Sequence, residues 1–402
     1  MTVSATLEET PRRGVRARLV RAAALVDRLL VPGAALLVAG VALGGGLRVA
    51  LLAATPVLAY ALLGRLLPRR LGSALLLLFA VVAGGSGAIL GRELLYVAAA
   101  AFALAGVRAG WGVNRGLRRR RAWSYRLLST LAVLPVALYV VVPALQTVNY
   151  IGKPREPISD AALGVPHESV TFPASDGVRL AGWFVPGTKD AAMVVVHGGG
   201  GDREGAVRHG RMLAAQGYAV LLYDSRGRGE SRGDHNAFGW LWDRDVRGAV
   251  DYLERRGFTR VGALGLSTGA EAVVTAAASD DRIRAVVADG IQGRQLADAK
   301  HLPGLQSLVL KPALAFGALG VRLASGEPLP APLIGLVHRV AATRPLLLVA
   351  GPSFEVEWNR AYAKGTSAEL WELPDTPHTR ALAERPGEYG RRVASLLAVP
   401  LG

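Results

Sequence analysis

"VGALGLSTGAEAVV", residues 261–274, spreads G-x-S-x-G over Gly265, Ser267 and Gly269, with an apolar run before it and an alanine-rich run after it. That order suits a strand that turns sharply into a helix: small residues keep the crowded backbone from clashing, and one serine is held at the tip. The pattern alone leaves two readings. Ser267 is a catalytic nucleophile, or it is an incidental serine in a glycine-rich turn or at a helix N-cap.

Working outward, the text from about residue 167 alternates apolar runs of strand length with amphipathic helical stretches, the signature of a mostly parallel sheet covered by helices. "SVTFPASDGVRLAGWFVP" reads as an opening hairpin turning at Asp176-Gly177. "AAMVVVHGGGG", "YAVLLYDSRG", "RVGALGLS", "IRAVVADG" and "RPLLLVAG" supply further strands, each ending in a loop rich in Gly, His, Ser or Asp. "GAVRHGRMLAAQG" and "DRDVRGAVDYLERRG" read as helices with glycine stops. In such sheets, ligands and catalytic groups gather at the carboxyl ends of the strands.

Four stretches, "HGGGGDR", "YDSRGRGES", "GLSTGA" and "PDTPHT", stand in this order over residues 167–400. In them the chain resembles the α/β-hydrolase family, and within it the membrane-anchored serine hydrolases of the serine aminopeptidase-like branch. The resemblance implies Ser267 as nucleophile and His378, in "PDTPHT", as its base. A serine hydroxyl needs such a base in reach, because it is a poor nucleophile at neutral pH. The family's acid usually follows the strand that "RPLLLVAG" represents. This sequence continues "PSFEVEW", which makes Glu355 the choice, Glu357 the next, and Asp289 an alternative position used by some members. Asp375 is too local to orient His378. The resemblance also implies backbone N–H donors for an oxyanion at Gly199 and Thr268, with Gly198 as runner-up, and structural roles for His197, Asp224 and Arg226. No H-E-x-x-H or other metal spacing is present, G-x-x-x-x-G-K-[ST] is absent, and there is no cysteine. Neither a cofactor nor a catalytic metal is expected.

The first part of the chain reads differently. Through Tyr150 there are 18 Arg and no Lys against 4 acids, so almost all of the net charge of +16 sits there. Those arginines lie in short clusters between long apolar runs, the way membrane proteins distribute charge, which argues against nucleic acid. Leu29 to Leu67 and Leu71 to Val107 would each span roughly 55–60 Å as one helix, against about 30 Å of hydrocarbon. Folding each into a hairpin also puts Arg48 and Arg92 in turns instead of mid-bilayer. A fifth run covers Leu127 to Val148. Arginine-rich and arginine-poor connections alternate, so five crossings with a cytoplasmic N-terminus place the rest of the chain outside the plasma membrane.

The expected organisation is a basic cytoplasmic N-terminus (1–28), an all-α transmembrane domain of about five helices (29–148), a linker (149–166) and an α/β-hydrolase domain (167–402) with a small cap at about 291–343. The expected function is a membrane-anchored serine hydrolase cleaving an ester or thioester, a lipid or acyl-chain substrate suiting a cap beside a membrane. The alternative is a degenerate hydrolase acting as a membrane-tethered binding module.

Overall fold

The computed structural model describes residue 155, residues 157–233 and 236–302, scattered positions between 311 and 325, and residues 326–402. All lie in the second of the two units into which the chain divides, Pro143–Gly402. The expected N-terminus and transmembrane helices (1–148) lie outside the described residues. Among the described residues, no helix is long and apolar enough to cross a membrane.

The opening hairpin pairs β1 (Glu168–Pro173) with β2 (Arg179–Val185) antiparallel. Its turn closes with the Gly177 N–H donating to the Ala174 carbonyl at 2.9 Å, at a φ of 86° that only glycine adopts freely. Strands β3 (Ala192–Val196), β4 (Ala219–Tyr223), β5 (Val261–Leu266), β6 (Ile283–Asp289), β7 (Leu346–Ala350) and β8 (Glu369–Glu372) complete one eight-stranded sheet in the order β1-β2-β4-β3-β5-β6-β7-β8. Strand β2 pairs antiparallel with β4, and from β4 to β8 every pairing is parallel.

The central strands read as unbroken apolar runs because both their faces are covered. On one face, Val194, Val196, Val286 and Leu348 pack with α2 (Trp242–Arg255), α3 (Thr268–Ala277) and α4 (Leu333–Thr343). On the other, Met193, Val195, Val287 and Leu347 pack with α1 (Val207–Ala215) and α7 (Pro386–Leu401). Helices α5 (Ser353–Ala363) and α6 (Ala381–Glu384) follow β7 and β8. The alternation within one strand, Val194 to one layer and Val195 to the other, is the two-residue period of an extended chain.

Three expectations change. The cap expected at 291–343 loses its last part, because Leu333, Val337 and Val340 of α4 are fully buried in the core beside α3. The linker expected at 149–166 is stitched to the domain in its second half: Leu163 is buried, Trp183 Nε1 donates to Asp160 Oδ1, and Arg211 donates to the Leu163 carbonyl. Finally, Glu369–Glu372 of "ELWELPDTPHT" forms an eighth strand before His378.

Candidate active site

Ser267 stands between β5 and α3 with φ 53° and ψ −118°. Holding a side chain in such a sparsely populated region costs on the order of 1–3 kcal/mol. The flanking glycines make it possible. A Cβ on Gly265 would fall 2.2 Å from the Gly269 carbonyl oxygen, and one on Gly269 would fall 2.5 Å from the carbonyl oxygens of Val196 and His197. Although Ser267 occupies the N-cap position of α3, its side chain makes no capping hydrogen bond. Its backbone N–H donates to the Asp289 carbonyl at 2.7 Å.

The turn after β6 that receives this bond also meets the histidine. Gly290 has φ 74°, and a Cβ there would lie 2.8 Å from His378 Cε1 and 3.0 Å from Nδ1. The pair Asp289–Gly290 thus touches the Ser267 backbone and the His378 ring at once. His378 Nδ1 is hydrogen-bonded to Glu355 Oε1. No hydrogen bond joins Ser267 Oγ to the ring among the described residues.

Glu355 lies in the first turn of α5, not in a loop, and is fully buried. Its Oε2 accepts the Gly351 N–H at 3.0 Å, and Oε1 also accepts the Gln292 side-chain amide at 3.3 Å. A carboxylate held on both oxygens keeps one orientation, and Nδ1–H donation to it leaves Nε2 as the nitrogen with the lone pair. Burial pulls the His378 pKa down, but the hydrogen bond and charge of Glu355, with the charge of Asp289, outweigh it and leave the pKa raised.

The other acids are engaged elsewhere. Glu357 forms an ion pair with Arg360 at 2.9 Å, and Asp375 is exposed. The Asp289 side chain turns toward His209 Nε2, 3.9 Å away, and the hydroxyl of Tyr389. Burial pushes its carboxyl up to about 7; the charge of Glu355 adds to this, while Tyr389 and His378 oppose it.

Of the expected oxyanion donors, Thr268 opens α3, so its N–H has no helical acceptor. Gly198 packs against the elbow, with its Cβ position 3.6 Å from Ser267 Cβ. The peptide joining Gly198 to Gly199 is pinned by His197, whose Nδ1 bonds to the Gly198 carbonyl at 2.7 Å while Nε2 accepts the Ser225 N–H at 3.0 Å. Since Nε2 accepts, Nδ1 carries the proton. Because a trans peptide points its C=O and N–H in opposite directions, this bond also fixes where the Gly199 N–H aims. Burial drives the His197 pKa down to about 4, so the ring stays neutral in this role. Arg228 Nη2 holds the Gly199 carbonyl at 2.7 Å.

Asp224 and Arg226 brace the surrounding loops. Asp224 accepts from Arg203 Nη1 and from the backbone N–H groups of Arg203 and Glu230, all at 2.9 Å. Arg226 is held between Asp245 and Asp176. Sequence reading did not single out Gln292, Gly351 or Arg228. Only their positions just after β6, after β7 and within "SRGRGES" hinted at them.

Residues 187–291, from β3 through the elbow to the turn after β6, match the family model described as serine aminopeptidase, S33. The uncharacterized protein YfhR of Escherichia coli is 29% identical over 241 residues, covering 56% of this chain and 78% of that protein. An uncharacterized protein of Mycobacterium tuberculosis is 31% identical over 157 residues, covering 35% of this chain and 55% of its own length. Among solved structures, an esterase of Pyrococcus furiosus is 22% identical with a TM-score of 0.49, over 62% of this chain and 97% of its own. In its matched segment, from β3 to the turn after β6, the described part of the chain is similar to the serine aminopeptidase-like hydrolases.

Proposed function

We propose that the domain transfers an acyl group from an ester or thioester to water through a covalent intermediate on Ser267. The observation that carries this reading is the Asp289–Gly290 turn, which meets both the strained Ser267 backbone and a His378 ring already bonded to buried Glu355. His378 Nε2 takes the proton from Ser267 Oγ as oxygen attacks the acyl carbon, then gives it to the departing alcohol or thiol. Water, deprotonated by the same nitrogen, attacks the acyl-enzyme and frees the acid and the serine. Glu355 keeps Nδ1–H engaged and stabilises the imidazolium that forms twice per turnover. The N–H groups of Gly199 and Thr268 receive the developing oxyanion, where loss of one donor typically costs about 10²–10³ in rate.

The test is fluorophosphonate labelling of the full-length protein, wild type beside Ser267→Ala and His378→Ala. The reading expects labelling in the wild type and its loss in both variants with folding intact. A wild type that resists labelling would favour the degenerate binding module.

Membrane anchoring through residues 29–148 is part of the same proposal, supported by the apolar runs and their alternating arginine clusters. It places the hydrolase outside the cytoplasm beside a lipid surface, which suits a lipid or acylated substrate. Full-length protein should resist alkaline extraction from membranes, and protease added to intact spheroplasts should cleave after residue 150. Cleavage only after lysis would put the domain on the cytoplasmic side.

A further inference from the structure

The stretch expected to supply one oxyanion donor is a run of four glycines, residues 198–201, with no side chain of its own to hold its backbone. Glycine's freedom leaves the peptides of such a run several orientations. The structure makes a turn of it. The Gly201 N–H donates to the Gly198 carbonyl at 3.2 Å, with Gly199 and Gly200 as the central residues. The two commonest turns of this size differ by a flip of the central peptide, and type II needs a positive φ at the third residue, which glycine supplies freely. Gly200 takes no positive φ, so the type II form is not the one adopted.

The loop after β4 holds both peptides of the turn. Ser225 donates its N–H to His197 Nε2, and His197 Nδ1 bonds to the Gly198 carbonyl, which fixes the first peptide. Arg228 Nη2 donates to the Gly199 carbonyl at 2.7 Å, which fixes the central one. Arg228 is itself buried, and its backbone is tied on both sides: its N–H donates to the Ser225 carbonyl and its carbonyl accepts the Ser231 N–H, each at 3.0 Å. Gly229, at φ 43°, lets the loop close on Asp224, since a Cβ there would lie 2.2 Å from Asp224 Oδ2. A hydrogen bond from a charged donor is roughly twice as strong as a neutral one. The same charge disfavours a second proton on His197, whose pKa burial already drives down to about 4.

We propose that Arg228 is a positioning residue for the oxyanion hole: its bond to the Gly199 carbonyl holds the Gly198–Gly201 turn in the form that presents the Gly199 N–H to the substrate oxygen. The proposal rests on the serine-hydrolase reading. The turn lies beside the nucleophile, with the Cβ position of Gly198 3.6 Å from Ser267 Cβ. A flip of the central peptide takes the Gly199 carbonyl off Arg228 and frees a donor that then has to be ordered again at each turnover. Oxyanion stabilisation depends on avoiding that step, because donors already in place need no reorganisation as charge develops.

The experiment uses the full-length protein in detergent hydrolysing p-nitrophenyl acetate, a neutral ester. Arg228→Met removes the donor and the charge and keeps an apolar stem. Its kcat should fall on the order of 10- to 100-fold, the scale of a hydrogen bond to a charged group, with KM unchanged, the pattern of an interaction made only in the transition state. Alanine resists the positive φ that the flipped turn needs. The fall caused by Arg228→Met should therefore be smaller in a Gly200→Ala background than in the wild type, a coupling that general loosening of the fold would not produce. Should Arg228→Met fail to fold, Arg228→Lys carries the same comparison with a smaller fall, because it keeps the charge on a shorter reach. Equal falls in the two backgrounds, or a rise in KM with kcat unchanged, would overturn the proposal while the hydrolase reading stands. A wild type without Ser267-dependent fluorophosphonate labelling would overturn both.

Discussion

Glu355 meets His378 from a helix, and that placement determines how the pair responds to pH. In the proposed mechanism the reactive form of His378 is the neutral ring, so kcat/KM should climb as pH rises through its pKa, which Glu355 holds above the ordinary value against the downward pull of burial. Glu355→Gln removes the charge and leaves the burial. The acid limb of the pH profile should then move to lower pH, while kcat falls by about 10⁴, the loss seen when an orienting carboxylate becomes an amide. An unmoved limb would mean that another group sets the titration. At this scale the sequence was legible where a residue's type is itself informative. Ser267 between glycines and the last histidine could be picked out. Gln292 could not, because a lone glutamine has no pattern, and only its 3.3 Å contact with Glu355 reveals it.

Elements are held apart or together by atoms that sequence does not display. A methyl group on Gly269 would collide with two backbone carbonyls of β3 and its loop, neither of which can swing aside. Gly269→Ala should therefore lower stability by about 1–3 kcal/mol or more in urea unfolding, the cost of overpacking. Gly335, within α4, is exposed, and nothing lies within 4 Å of its Cβ position. Gly335→Ala should raise stability by about 0.5–1 kcal/mol, because alanine has less freedom to lose in a helix interior. A neutral result there would argue against a well-formed α4. The same helix shows why its place in the fold was not readable. "LIGLVHRVAAT" is as apolar as the cap text before it, and only burial against α3 separates a core helix from a cap helix. Strands β3 to β7 were readable because each is a mostly apolar run, interrupted only by Arg284 near the start of β6 and closed there by Asp289, whereas β8, "ELWE", is short and half polar.

Across the molecule, two buried histidines link folding to acidity. Burial drives His197 down to about 4 and His209 down to about 3. Between pH 6.5 and those values the unfolded chain binds more protons than the folded one. The stability they contribute is present above pH 6.5 and lost as pH falls through 4 and then 3. His209 has both ring nitrogens without hydrogen-bond partners and lies edge-on to Tyr389 with ring centroids 5.4 Å apart. His209→Phe keeps the ring contact and removes one proton from the balance. Its unfolding free energy should depend less steeply on pH between 6 and 4, by about 1.4 kcal/mol per pH unit. An unchanged slope would show that His209 charges freely in the folded state.

The sheet ends on β1 at one side and β8 at the other, and both are poor templates for another strand. Strand β1 carries Glu168, ion-paired with Arg256, and closes with Pro173, which has no N–H to offer. Strand β8 carries Glu369 and Glu372, paired with Arg392 and Arg360 at 2.7 Å. Charge and proline on exposed edges suppress edge-to-edge aggregation. Where copies sit side by side at high concentration, that suppression means neighbours can collide often without their sheets fusing, and any lasting association has to come through other surfaces.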